Sequence, residues 1–222
     1  IFLLTGHVHF APACTRGHDH RPGFEFRAAG GKKREYCVQH NESDLNFVSR
    51  LLQEDGIAYF FQHSDGKHQL VLVDQPNAYS EVSETNLEYS KGSAPHSQIT
   101  GWEHKYNFKK GKWTLNDYNF KEPKKNLTAA ITTNSAFAKN ANFEHYEYPG
   151  YYDPALGTEL VKIALESEEA DRNTVFGQSN CASFYAGGKF KLAKHATGSQ
   201  KGNYILATVT HTAEDKSYFS GD

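Results

Sequence analysis

Two histidine pairs, His7-Val-His9 and His18-Asp-His20, bracket Cys14 and make the densest group of metal-capable side chains in the chain. Alternation along a strand would turn His7 and His9 to one face as paired ligands, but the spacing matches no zinc pattern and Asp19 sits in a Gly- and Pro-rich stretch. No metal site is therefore expected. Gly177-Gln-Ser179-Asn-Cys181 lacks the last Gly of a nucleophile elbow, and the pattern before it is that of a helix rather than a strand. Cys37 is expected to be a small core residue in a strand, not a nucleophile. Glu54 and Asp55 are adjacent on a helix, point in different directions and cannot close on one bond. Gly187-Gly188 is an isolated pair in a strand pattern, which reads as a bulge or a close backbone approach, and no Gly-rich phosphate loop is found. The expectation is no catalytic residue and no cofactor.

The elements that would position such groups have a clear order. A strand at Tyr36 leads to a helix expected to start near Asn41, with Glu42 and Asp44 against the positive end of its dipole. Leu45, Val48 and Leu52 recur at helical spacing, with Phe47 and Leu51 beside them, so this face should be buried and the helix docked on its own sheet. Gly56 closes the helix, and Ile57, Tyr59 and Phe61 resume the period of a strand. Residues 57–63 and 68–74 flank Ser64-Asp65-Gly66-Lys67, a hairpin signal. Residues 1–10 read as one strand or two, 11–33 as loop or a patchwork of edges, and 76–97 as a surface connection or a short edge strand. Trp102, His104, Tyr106 and Phe108 should form a second hairpin with Trp113 and Leu115, followed by a bulge near Asn116-Asp117. Residues 127–133 predict a strand and 134–149 an irregular stretch. A helix is predicted over 158–176, with Leu160, Val161, Ala164 and Leu165 inward, Glu166, Glu168, Glu169 and Asp171 outward, and Gly177 as its stop. Two strands, at 181–192 and 204–213, close the chain, the last with Ile205, Ala207 and Val209 inward.

Composition narrows the class. The 222 residues, 24.9 kDa, suffice for one large or two small domains. Aromatics make up 14% of the chain and mean hydropathy is -0.69, which favours many half-exposed strands. A net charge of -2 and a pI near 6.7 give no field that argues for nucleic acid or an anionic membrane. No apolar run is long enough to span a bilayer, and Ile1-Phe2-Leu3-Leu4 is too short for a signal-peptide core. The 3 Cys, without C-x-x-C spacing, fit reduced cytosolic thiols. The fold class from the residues alone is mostly β (α+β) with two amphipathic helices.

Five blocks carry a more specific reading: "EYCVQHNESDLNFVSRLLQEDGIAYFF", "HQLVLVDQPNAY", "LNDYNFKEPKKNL", "YEYPGYYD" and "SFYAGGKFKL" leading to "YILATVTHTAED". In this order, from about Arg34 to about Asp215, they resemble the VgrG family, spike proteins of bacterial type VI secretion, in the portion related to the central hub of phage tails. The resemblance implies small β-barrel domains of the phage-tail-hub type. Residues 1–33 would be part of a first barrel, shorter than the family's span between the same two strands. The absence of Met in the chain is consistent with segments missing there. Residues 34–215 would form the hub-like domains with a second barrel, and 216–222 would begin a linker to a needle that is not present.

It further implies a homotrimer that caps the tube protein Hcp and helps to puncture a target membrane. The PAAR tip protein and effectors would be held through the absent C-terminal part, the membrane touched only by the needle, and nucleic acid not bound. Such a protein resides in the bacterial cytoplasm before firing and is then secreted or translocated into target cells. Three alternatives stay open: the baseplate hub of a contractile phage tail, a spike whose missing C-terminal part carries an effector enzyme, and a metal-stabilised binding module built on His7, His9, His18 and His20.

Overall fold

A computed structural model describes residues 23–29, 31, 34, 36–92, 96–150 and 155–214. The expected strand at 1–10, the His7, His9, Cys14, His18 and His20 group and the 216–222 linker lie outside the described residues. The strands are β1 (Gly23–Arg27), β2 (Ala58–Ser64), β3 (Lys67–Val73), β4 (Glu81–Glu88), β5 (Ile99–Tyr106), β6 (Lys112–Leu115), β7 (Ala129–Thr132), β8 (Glu144–Glu147), β9 (Asn173–Ser179), β10 (Lys189–Lys194) and β11 (Gly202–Ile205). The helices are α1 (Asp44–Glu54) and α2 (Gly157–Glu169). The expected class, mostly β with two helices, is what is found.

The hairpin of β2 and β3 forms as its turn predicts. Ser64 pairs with Lys67 across Asp65-Gly66, and Gly66 takes the positive φ of 64° that such a turn requires. β1 adds to β3 in parallel, from Gly23 opposite Gln69 to Arg27 opposite Val73. This strand was not expected, since its residues looked like loop. Arg27 ties the sheet to the next element by donating to Ala78 O (3.1 Å) and Ser80 Oγ (2.7 Å). Phe60, Val71 and Val73 form the core of this first sheet.

Five strands curl around a larger core. β11, β10 and β4 are ladder partners, β5 pairs with β9, and the two ladders join where Tyr89 bridges Ile99 and Ser90 N donates to Ile99 O (3.0 Å). Val82 and Leu87 of β4, Ile99 of β5, Val175 of β9, Phe190 and Leu192 of β10 and Tyr204 of β11 all enter one cluster. The order this gives, β11-β10-β4-β5-β9, is two ladders meeting at one corner, a barrel-like wall with no ladder between β11 and β9 among the described residues. β4 lies within 76–97, where a surface connection or a short edge strand was expected; it is an edge of the β11-β10-β4 sheet, 8 residues long. Its register on β10 slips between Glu81 and Asn86, so its inward residues never show a clean two-residue period.

The third unit is β7-β6-β8 with α2 laid across it, where Leu115, Leu127 and Val161 form the core. β8 falls inside the stretch expected to be irregular, and pairs in parallel with β6. The expected second hairpin does not form. β5 pairs with the distant β9, from Ile99 opposite Ser179 to Tyr106 opposite Asn173, while β6 takes β7 and β8. β6 simply ends at Leu115, so the change of parity near Asn116 marks a strand end rather than a bulge.

α2 buries Val161 and Leu165 as predicted but stops at Glu169, well before Gly177. Asn173, Thr174 and Val175 are poor helix formers, and the last two become buried in the β5 ladder. Of the expected outward carboxylates, Glu169 instead meets Arg172 and the Thr133 hydroxyl, and Asp171 meets Lys109 at 2.7 Å. The last two strands are also shorter than expected, β10 starting at Lys189 and β11 ending at Ile205.

Candidate functional site

The groups singled out for chemistry are dispersed and occupied. Ser179 ends β9, so it follows a strand and not the helix expected before it, and its hydroxyl donates to Gln98 O (2.9 Å) while accepting from Cys181 N (3.0 Å). Cys181 is buried, and that burial pushes its thiol above the ordinary range, against hydrogen bonds from Ser179 and Ser97 that lower it. Such a thiol stays protonated and packs as a small apolar group. Cys37, expected in a strand core, is exposed in residues that belong to no strand.

Glu54 and Asp55 share one cation: Arg34 lies 3.2 Å from Glu54 and 2.9 Å from Asp55. Arg34 also donates to Leu51 O (3.2 Å), so the three residues clamp the C-terminal end of α1 to the chain before it. Among the described residues, no three His, Cys, Asp or Glu side chains are grouped to hold a metal ion.

Gly187 is the close approach expected of the Gly pair. At φ 88°, a Cβ built on it would sit 2.2 Å from the Phe60 ring, so β2 of the first sheet is pressed against the entry to β10. Tyr185 packs against both cores and extends the same junction. The first sheet and the larger core thereby meet at this junction.

Surface, not cleft chemistry, holds what sequence reading missed. α1 is capped two residues later than expected: Ser43 is its cap, accepting from Asn46 N (3.3 Å), and Asn41 takes a left-handed φ of 51°. Its apolar face does not dock on the sheet. No residue of α1 is buried, and Leu45 and Val48 are 43% and 49% exposed. Two aromatic pairs, Tyr106 with Phe137 (6.3 Å) and Phe108 with Phe143 (5.4 Å), are likewise exposed. An open cleft of about 650 Å³ runs along the barrel seam between β9 and residues 206–212, over Trp102, Phe184 and Phe190. Large apolar patches of this kind mark contact surfaces.

A family described as phage tail baseplate hub (GPD) matches residues 13–217. The chain is 29% identical over 83% of its length to the actin cross-linking toxin VgrG1 of Vibrio cholerae serotype O1, of which it covers 17%. It is 31% identical over 81% of its length to the type VI secretion system spike protein VgrG4b of Pseudomonas aeruginosa, of which it covers 22%. The chain thus spans under a third of the curated relatives it matches. Among solved structures, a prophage tail protein, gp18, from Listeria monocytogenes EGD-e aligns over 82% of this chain and 52% of its own, with a TM-score of 0.44 at 12% identity.

Proposed function

The chain belongs to the phage tail baseplate hub family, and from that premise we propose that it is a trimeric hub of a type VI secretion spike. In that role it caps the Hcp tube and helps to drive the spike through a target membrane. The observation that carries this reading is the match over residues 13–217 together with relatives named as type VI spike proteins. Strand edges, exposed aromatics and the unburied α1 face fit a protein that works by contact with other chains.

The role is mechanical, and no catalytic residue, cofactor or metal is assigned to it. Residues 1–33 are proposed as part of a first barrel, 34–215 as the hub proper and 216–222 as the start of a linker. The PAAR tip protein and effectors would attach through a C-terminal part beyond these residues, which would also make the only membrane contact, and nucleic acid is not a partner. The protein would wait in the bacterial cytoplasm and leave it on firing. A toxin activity like that named for the Vibrio relative would belong to the much longer remainder of such a chain.

The family description also supports a second reading, the baseplate hub of a contractile phage tail. Co-elution with purified Hcp separates them. The spike hub is expected to shift Hcp to a larger species on size exclusion, and no shift at concentrations where the hub is assembled would leave the phage reading.

A further inference from the structure

Among the described residues the barrel seam holds no strand, and residues 36–39, strand-like in sequence, pair with none. β9 and β11 are the two ends of the order β11-β10-β4-β5-β9, and no ladder joins them among the described residues. After β11 come residues 207–212, Ala-Thr-Val-Thr-His-Thr, rich in β-branched side chains yet part of no strand. They form one wall of the cleft of about 650 Å³, and Val175, Phe176 and Gln178 of β9 form the other. Phe176, 57% exposed, is an aromatic on a free strand edge, an arrangement that isolated proteins avoid.

Residues 36–39, Tyr-Cys-Val-Gln, have the opposite defect. They are strand-like in sequence, belong to no sheet, and leave Tyr36 85% and Val38 47% exposed. Both flanks are fixed. Arg34 is held by Glu54, Asp55 and Leu51 O, while Gln39 donates to Glu42 O (2.9 Å) and Asp44 Oδ1 (2.8 Å). The segment is therefore presented to solvent between two anchored points, with Tyr36 and Val38 sharing one face by the two-residue period of a strand.

We propose that the seam of one protomer takes residues 36–39 of a second copy as its missing strand. Tyr36 and Val38 enter the cleft over Phe184 and Phe190, and the segment's backbone adds to β9 and to residues 207–212 by strand augmentation. Four residues extend about 13 Å at roughly 3.3 Å each, which fits within the 7-residue β9. The occupant is a neighbour because the chain's own Tyr36 stands exposed, outside its own seam. Donor and acceptor surfaces differ, so the contact is head-to-tail, and the threefold rotation of the trimeric reading is what would close it into a ring. This inference rests on the trimeric hub reading and names the contact that would build the trimer.

Two double variants of the full chain test it: Thr208→Lys with Thr210→Lys fills the seam, and Tyr36→Lys with Val38→Lys blocks the donor. All four side chains are exposed, so circular dichroism and melting temperature should match the wild type. Each variant alone is expected to stay monomeric at 100-fold the concentration at which the wild type assembles. Mixed one to one, they should form a heterodimer that goes no further, since one intact donor meets one intact seam. If the seam variant melts early, the donor variant and its titration against wild type, which should cap rings as shorter species, carry the test. A wild-type trimer with either folded variant still trimeric, or a mixture that stays monomeric, overturns this inference alone. A monomeric wild type overturns the hub reading and this inference with it.

Discussion

Gly187 shows how much one position can carry. Its φ of 88° strains any other side chain, and a Cβ there would lie 2.2 Å from the Phe60 ring, at the junction of the first sheet and the barrel. Gly187→Ala should therefore destabilise the fold on the order of 2–4 kcal/mol, combining backbone strain with overpacking. Urea unfolding measures this directly, and a loss under about 0.5 kcal/mol, the range of an ordinary surface change, would show that the junction yields. The Gly pair was legible as a close approach because only Gly tolerates one, whereas its partner was not. Phe60 is 127 residues away, and no local pattern encodes such a distance. The surroundings of Ser179 and Cys181 were not legible: Ser179 ends a strand rather than following a helix, and burial and local hydrogen bonds engage both. The cap of α1 was misplaced by one short step. Asn41 and Ser43 both qualify by residue type, and the choice falls on Ser43 because Asn41 occupies the left-handed region.

At the scale of elements, α1, the β2-β3 hairpin, β7 and the first three turns of α2 were legible, because short-range periodicity and turn chemistry specify them. What failed was pairing. β5 and β6 are neighbours in sequence and look like a hairpin, but β5 takes β9, and the same long-range ladder ends α2 early. β1 and β8 were missed, and β4 was foreseen only as one of two alternatives, since each joins a sheet through a parallel pairing, which leaves no local turn signal. α1 poses the sharper question. Its sequence demands a buried face, yet the described residues leave every position of it at least partly exposed. In a dilute, unassembled chain its amides should exchange with solvent far faster than those of β3 and β10, which carry the fully buried Val71 and Leu192. Hydrogen exchange by mass spectrometry reads this, and protection of α1 equal to β3 under those conditions would mean that its face is already covered within one chain.

Among the described residues there are three β units around separate cores, with surfaces left exposed: the α1 face, the Tyr106 and Phe108 aromatic pairs, and the barrel seam. Such surfaces fit the hub role proposed above, in which copies of the chain and the parts it joins would cover them. Burial of such surfaces between chains supplies the apolar driving force that one chain forgoes. The most direct test is the mass of the purified full chain by light scattering across a concentration series. The account predicts a species of three protomers, each of 24.9 kDa, forming as concentration rises. A single protomer mass at every concentration up to the millimolar range would contradict it.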